Sequence, residues 1–247
     1  MTGTLTGNLG VLYKLTGNVG RAFRAPTLLE RFFDGPHDVA RDIGNPDLEP
    51  ETSWNFDTGV KMQFERWSAT ASVFYNRIDD YTVKLLNAAG DYEWTNFAEV
   101  RLYGAEAGLD FQLGHGFSVF ATASHVRGRN EETHDDLPAI PPLKARYGVR
   151  FDHAVGEEDN KHHLWAELSG TSAARQKHPG PNEKDTAGWT RIDVRAGYDL
   201  GDRWSLSCAV ENLTDKSYHD HLSGAWQLFN LYEQAGRNFK LMATIRF

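Results

Sequence analysis

The chain has 247 residues, with 26 Lys+Arg against 34 Asp+Glu for a formal net charge of -8, a single cysteine and 12% aromatic residues. That balance argues against a protein whose main business is nucleic acid, because phosphate neutralisation needs a basic face. One cysteine excludes a disulfide framework and any cysteine-rich zinc module. No run of about 18 apolar residues occurs, so a transmembrane helix is excluded, whereas a membrane barrel is not, since its strands hide their hydrophobicity by alternation.

The opening residues lack both a positive n-region and an apolar h-region, so no secretory signal peptide is expected in this frame. From there the dominant period is two. A first strand pair is expected around a short link at residues 15–18, followed by a long connection over residues 25–51. Residues 54–64 and 67–75 read as a second pair joined at Glu65-Arg66. A long loop is expected over residues 79–100, after which residues 103–113 alternate around Glu106, Asp110 and Gln112. Leu143, Ala145, Tyr147, Val149 and Phe151 alternate with Lys144, Arg146, Gly148, Arg150 and Asp152. Ile192, Val194, Ala196, Tyr198 and Leu200 do so with Arg191, Asp193, Arg195, Gly197 and Asp199, and the segments from Trp204 and to Phe247 repeat the pattern. One apolar and one polar face per segment is the signature of strands.

The predicted fold is all-β: an antiparallel transmembrane β-barrel segment of about eleven long strands forming one domain, residues 1–247. Links alternate between short ones, at residues 114–116, 156–161 and 201–202 among others, and long ones, at residues 128–142, 174–188 and 213–236. Tight turns at one rim and long loops at the other suit periplasmic turns and extracellular loops. A soluble sandwich or lipocalin-like barrel is the alternative. Against it stand the charge on the polar face, the aromatics near strand ends (Trp54, Trp67, Trp189, Trp204, Phe247) and strand lengths that match a tilted membrane crossing. Working back from the long connection at Ala25, an odd strand count would begin outside, so missing chain is expected to complete the barrel.

Phe23-Arg24-Ala25-Pro26, Gly44-Asn45-Pro46-Asp47-Leu48-Glu49-Pro50-Glu51, Leu102-Tyr103-Gly104-Ala105-Glu106, Glu211-Asn212-Leu213-Thr214-Asp215-Lys216 and Gly236-Arg237-Asn238-Phe239 follow one another along the chain. In this order and spacing they resemble successive signatures of TonB-dependent outer-membrane receptors. The resemblance implies the C-terminal half of a 22-stranded barrel in the bacterial outer membrane, without the family's signal peptide, TonB box and plug. It further implies contact with membrane lipid, energy from the TonB–ExbB–ExbD complex acting on a plug encoded elsewhere, and a small metal-chelate ligand. Phe23, Arg24, Ala25, Pro26, Asn45, Pro46, Asp47 and Leu48 are its motif residues. The ligand expected by default is a ferric siderophore, with haem, copper or zinc as alternatives, and no permanently bound cofactor. A passive pore working without energy coupling is the competing reading.

No catalytic constellation is present, so an enzyme is not expected. His37, between two of the motifs, is a candidate metal or haem ligand by resemblance, because haem receptors of this family place an axial ligand there. His219 and His221, at i and i+2, would point the same way in an extended stretch and form a second candidate metal pair. Tyr81, Trp94, Trp226 and Tyr232 are candidates to line a ligand mouth. Arg21, Arg24, Arg191 and Arg195 are expected to face the lumen or its rim, and Cys208 to be a small lipid-facing hydrophobe.

Overall fold

The structure, a computed structural model, describes residues 1–8, 12–37, 40–156, 162–223 and 232–246. In chain order its elements are β1 (Thr2–Asn8), β2 (Leu12–Arg24), α1 (Leu28–Phe32), β3 (Asp34–His37), β4 (Ala40–Ile43), β5 (Glu51–Gln63), β6 (Trp67–Leu86) and β7 (Tyr92–Gly114). There follow β8 (Phe117–Asn130), β9 (Lys144–Val155), β10 (His162–Ala173), β11 (Trp189–Leu200), β12 (Trp204–Glu211) and β13 (Asn238–Ile245). Eleven strands form one antiparallel meander in the order β1-β2-β5-β6-β7-β8-β9-β10-β11-β12-β13, while the hairpin β3–β4 lies off this path. The two end strands, β1 and β13, do not pair with each other, so the sheet is an open piece of barrel wall.

Register shows why this sequence makes a wall. Trp67, Phe111, Val119, Val149, Leu168, Val194, Val210 and Phe239 are successive cross-strand partners on eight strands. One residue along, Ser68, Asp110, Phe120, Gly148, Ser169 and Asp193 form a row on the other face. The apolar face is bare: Leu168 is 51% exposed and Leu241 76%. Apolar area on this scale is not left in water. Apart from Phe120, the buried apolar residues, among them Leu48, Val83, Val100, Leu137 and Tyr218, gather at the end that carries the long loops. They make no core between two sheets, which removes the soluble sandwich. No helix among the described residues is long and apolar enough to cross a membrane.

The polar face is cross-braced. Arg150 reaches Glu167 at 3.0 Å and Asp110 at 3.2 Å, Arg146 also bonds Glu167, and both guanidinium groups lie over the Phe120 ring, at 4.9 Å for Arg146 and 3.9 Å for Arg150. Glycines recur opposite aromatic rings: Phe74↔Gly104, Phe120↔Gly148, Tyr147↔Gly170 and Trp165↔Gly197 are direct partners. In each pair the ring lies where the glycine's side chain would be.

Four expectations are corrected. Residues 15–18 are not a turn but part of β2, and the first connection falls between Asn8 and Leu12. Gly17-Asn18 imitates a turn signal, yet Thr16 Oγ1 donates to the Gly59 carbonyl at 3.3 Å and Asn18 Nδ2 to Asp57 at 3.3 Å, which holds the stretch extended against β5. Residues 79–100 are not a long loop, because β6 and β7 run on as a paired ribbon to a tight turn closed by Asn87 N–H→Asp91 O at 2.8 Å. The connection over residues 25–51 carries α1 and the hairpin β3–β4, and β4 pairs in parallel with β7 at Asp42↔Tyr92. Arg21 lies on the apolar face, opposite Trp54 with its guanidinium 5.7 Å from that ring, and not towards the lumen. The strand path and the positions of the remaining turns agree with the sequence reading, except that residues 157–161 of one short link lie outside the described residues.

Candidate functional site

The loop end of the sheet is where strands stop pairing and side chains of different connections meet. Its first unit is built from the motif residues. Arg24, at the end of β2, donates to both oxygens of Glu30 at 2.9 and 3.1 Å and to Glu51 at 2.6 Å. Thr27 caps α1: its hydroxyl accepts from Glu30 N–H at 3.2 Å while Glu30 accepts from Thr27 N–H at 2.6 Å. Burial alone would push the Glu30 carboxyl up, but the Thr27 N–H and the Arg24 guanidinium outweigh it and hold it below the usual carboxylate range. Asn45 closes the unit: its side chain accepts from Asp47 N–H at 3.0 Å and donates to the Trp94 carbonyl at 3.1 Å, while Leu48 is buried. Phe23, Ala25 and Pro26 carry the chain from β2 into α1, and the Pro46 carbonyl accepts from Arg31 at 2.9 Å. The motif residues thus form a clasp that pins the connection over residues 25–51 to the β6–β7 ribbon.

On that ribbon Lys84, only 7% exposed, meets Asp42 of β4 at 3.1 Å and stands 5.1 Å from the Tyr92 ring and 5.5 Å from that of Trp94. Cation, carboxylate and aromatic faces converge here. Sequence reasoning missed Lys84 and Asp42, because residues 79–100 read as a loop. Tyr81 pairs with Phe97 in the same ribbon, and Tyr232 is exposed in the last connection. Trp226 lies outside the described residues.

A second unit joins three connections. Glu183 accepts from Ala139 N–H at 2.6 Å and Gly180 N–H at 2.8 Å, and its other neighbour is the His221 imidazole, whose Nε2 is 3.5 Å away while Nδ1 is 3.2 Å from Thr186 Oγ1. Lys144 reaches Asp220 at 2.6 Å, and the Trp189 ring lies against Tyr218, tilted by 36° with 4.3 Å between centroids. Burial pushes the Glu183 carboxyl up, but the imidazole and the two backbone N–H groups hold it below its usual value of 4.5. A carboxylate depressed in the folded state stabilises that state above its unfolded pKa and loses the contribution as pH falls through the folded one. Resistance of these connections to limited proteolysis is therefore expected to be flat from neutral pH down to about 5 and to fall below about 4; Glu183→Gln should abolish this pH step.

His219 and His221 do not form the expected pair. His221 is buried, whereas His219 is exposed and pairs through its backbone with Glu233. A turn begins at His221, so the extended geometry that would aim both rings the same way does not hold. His37 closes the hairpin β3–β4 opposite Ala40, and its side chain lies outside the described residues. No group of three or more His, Cys, Asp or Glu placed to hold a metal occurs among the described residues. Arg191 pairs with Asp193 at 2.9 Å, and Cys208 stands on the apolar face between Ala196 and Leu241.

A family model described as "TonB dependent receptor-like, beta-barrel" matches residues 2–213. Among curated proteins, "Heme/hemopexin utilization protein C" of Haemophilus influenzae (strain 86-028NP) is 27% identical over 261 residues, covering 94% of this chain and 35% of that protein. "Iron-regulated outer membrane virulence protein" of Vibrio cholerae (O395) is 27% identical over 262 residues, covering 97% of this chain and 38% of that protein. Among solved structures, the "Copper transporter OprC" superposes with a TM-score of 0.81 at 25% identity, over 96% of this chain and 37% of that one. The chain therefore spans little more than a third of the length of the relatives it matches.

Proposed function

This chain belongs to the TonB-dependent receptor β-barrel family of the bacterial outer membrane, and from that premise we propose that residues 1–247 are the C-terminal part of a barrel that imports a ferric siderophore. In this reading the long connections bind the chelate outside the cell, and the missing remainder of the wall pairs with β1 and β13. A plug energised by TonB–ExbB–ExbD then lets the chelate pass. The family is one of receptors and transporters rather than enzymes.

The observation that carries the ligand class is the pairing of cations with aromatic faces at the loop end and on the wall below it. Lys84 lies against Tyr92 and Trp94, and Arg146 and Arg150 against Phe120. Lys84 is buried against Asp42, so the cations open to a ligand are Arg146 and Arg150, 39% and 41% exposed, whose positive charge suits an anionic chelate with aromatic arms. Haem is the second reading, supported by the likeness to the haem utilisation protein and by the position of His37 on the outlying hairpin β3–β4.

Outer membranes carrying the whole receptor should retain a radio-iron tris-catecholate siderophore, and Arg146→Ala combined with Arg150→Ala should weaken retention about tenfold or more. Retention of haem instead, with a Soret shift that His37→Ala removes, would favour the second reading. Retention of neither would contradict both.

A further inference from the structure

One register row of the lumenal face descends the wall from the loop end to the turn end. On β11, β10 and β9 it passes through Arg191, Thr171 and Arg146, each the third residue from the loop end of its strand. It continues through Thr122, Gly108 and Thr70 on β8, β7 and β6 and finishes at Lys61 and Lys14, the third residues from the turn ends of β5 and β2. The descent follows from the stagger between neighbouring strands that a barrel wall requires. Cations stand at both ends of the row, hydroxyls and a glycine lie between them, and no carboxylate interrupts it.

The upper cations are met and the lower ones are not. Arg146 bonds Glu167, and Arg191 pairs with Asp193 at 2.9 Å. Lys14 and Lys61 are both exposed and are direct cross-strand partners, about 5 Å apart between Cα atoms, an arrangement of like charges that weakens a sheet. Among the described residues neither has a carboxylate partner, and no acidic residue precedes Glu30 in the chain. On the same face of β5, Asp57 is four residues away, about 13 Å of strand, and takes the Asn18 amide at 3.3 Å. A strand added beyond β1 by the missing wall would lie about 14 Å from Lys61, too far to neutralise it. Between the two ends a groove of about 570 Å³ follows the row, lined by Thr70, Gly108, Thr122 and Thr171, with Lys144 and Arg146 on one side and Glu106 as its single carboxylate.

We propose that this row is a track that guides an anionic, oxygen-rich chelate down the lumen, and that Lys14 and Lys61 are its last station before the periplasm. The inference deepens the import reading above and rests on it. An anion lying between the two ammonium groups relieves their repulsion, which gives the station its affinity. A lysine is a hydrated point charge without the paired grip of a guanidinium, so the station lets go again, and passage needs sites that attract and still release. The hydroxyls between the charged ends offer donors without adding charge.

The test compares two measurements on cells carrying the whole receptor: surface retention of a radio-iron tris-catecholate siderophore with energy metabolism blocked, and its uptake with metabolism restored. Lys14→Gln combined with Lys61→Gln should leave retention unchanged and slow uptake about tenfold. Lys61→Glu alone, which gives Lys14 a partner, should slow uptake as much. A heat-shift gel of the same membranes reports whether each variant's barrel is formed. Normal uptake by both variants would overturn the track. So would a rise in passive entry of a large antibiotic into cells carrying them, which would make the lysines a fastening for the plug. Retention of no siderophore by the unaltered receptor would instead remove the import reading, and the track with it.

Discussion

Asn212→Ala is expected to destabilise the folded wall by about 3 kcal/mol or more, which makes this residue, itself no candidate ligand contact, one of the least replaceable in the chain. Asn212 is 1% exposed, and its backbone has a positive φ of 53°. Its amide donates to the carbonyls of Lys216 at 2.9 Å and Ala235 at 3.2 Å and accepts from Lys216 N–H at 2.8 Å, while its own N–H donates to Asp193 at 2.8 Å. Alanine would leave three backbone groups without partners, at about 1–3 kcal/mol for each that stays buried. It would also tolerate the left-handed backbone less well than asparagine, by roughly 1 kcal/mol. Asp215 completes the fastening: its carboxylate accepts from Arg237 N–H at 2.8 Å, and a side chain on Gly236 would come within 2.8 Å of it. The two sequence motifs around Asn212 and Gly236 are thus halves of one clasp that closes the last connection. A lowered temperature of the heat-shift transition on a semi-native gel is the readout; an unchanged transition would contradict the clasp.

The second large effect is expected at Gly197. A Cβ built there lies 2.4 Å from Cε2 and 2.5 Å from Nε1 of Trp165, its direct cross-strand partner. A ring laid over a strand glycine covers backbone that would otherwise be open, and the glycine is the only residue that admits it. Gly197→Val has to expel the indole from this position, at about 1–3 kcal/mol for overpacking together with loss of the ring's packing. Trp165→Ala with Gly197→Val should recover part of that loss, a coupling that a double-mutant cycle measures. Additive effects would show that the ring and the glycine are independent.

Much of this architecture was legible because period-two alternation survives wherever one face meets lipid and the other the lumen, as in β11 and β13. It fails where that asymmetry ends. The upper parts of β6 and β7 are covered on one side by the connection over residues 25–51, so Thr82, Lys84 and Asn96 hydrogen-bond to that connection and the strands lose their two-faced pattern. Arg21 misleads for a related reason: at headgroup height a guanidinium suits the outward face, and polarity no longer identifies the lumen. The motif residues were legible as motifs, but their physical work, Arg24 gripping Glu30 and Glu51 and Asn45 reaching the Trp94 carbonyl, depends on partners 6 to 49 residues away. The histidines were read from spacing alone, and the turn that begins at His221 is set by Asp220, whose side chain accepts from Leu222 N–H at 3.1 Å.

The central claim is that one face of this sheet meets lipid and the other an aqueous lumen, and the single cysteine allows a direct test. Cys208 shares its face with Ala196 and Leu241, whereas Ser207 and Ala209 lie on the other, opposite Met242 and Lys240. A nitroxide on Cys208 of the membrane-inserted receptor should collide with oxygen and be shielded from a water-soluble nickel chelate. Labels at Ser207→Cys or Ala209→Cys, each with Cys208→Ser, should show the reverse. Equal access of the nickel chelate to all three positions, or lipid-like access at 207 and 209, would contradict the account.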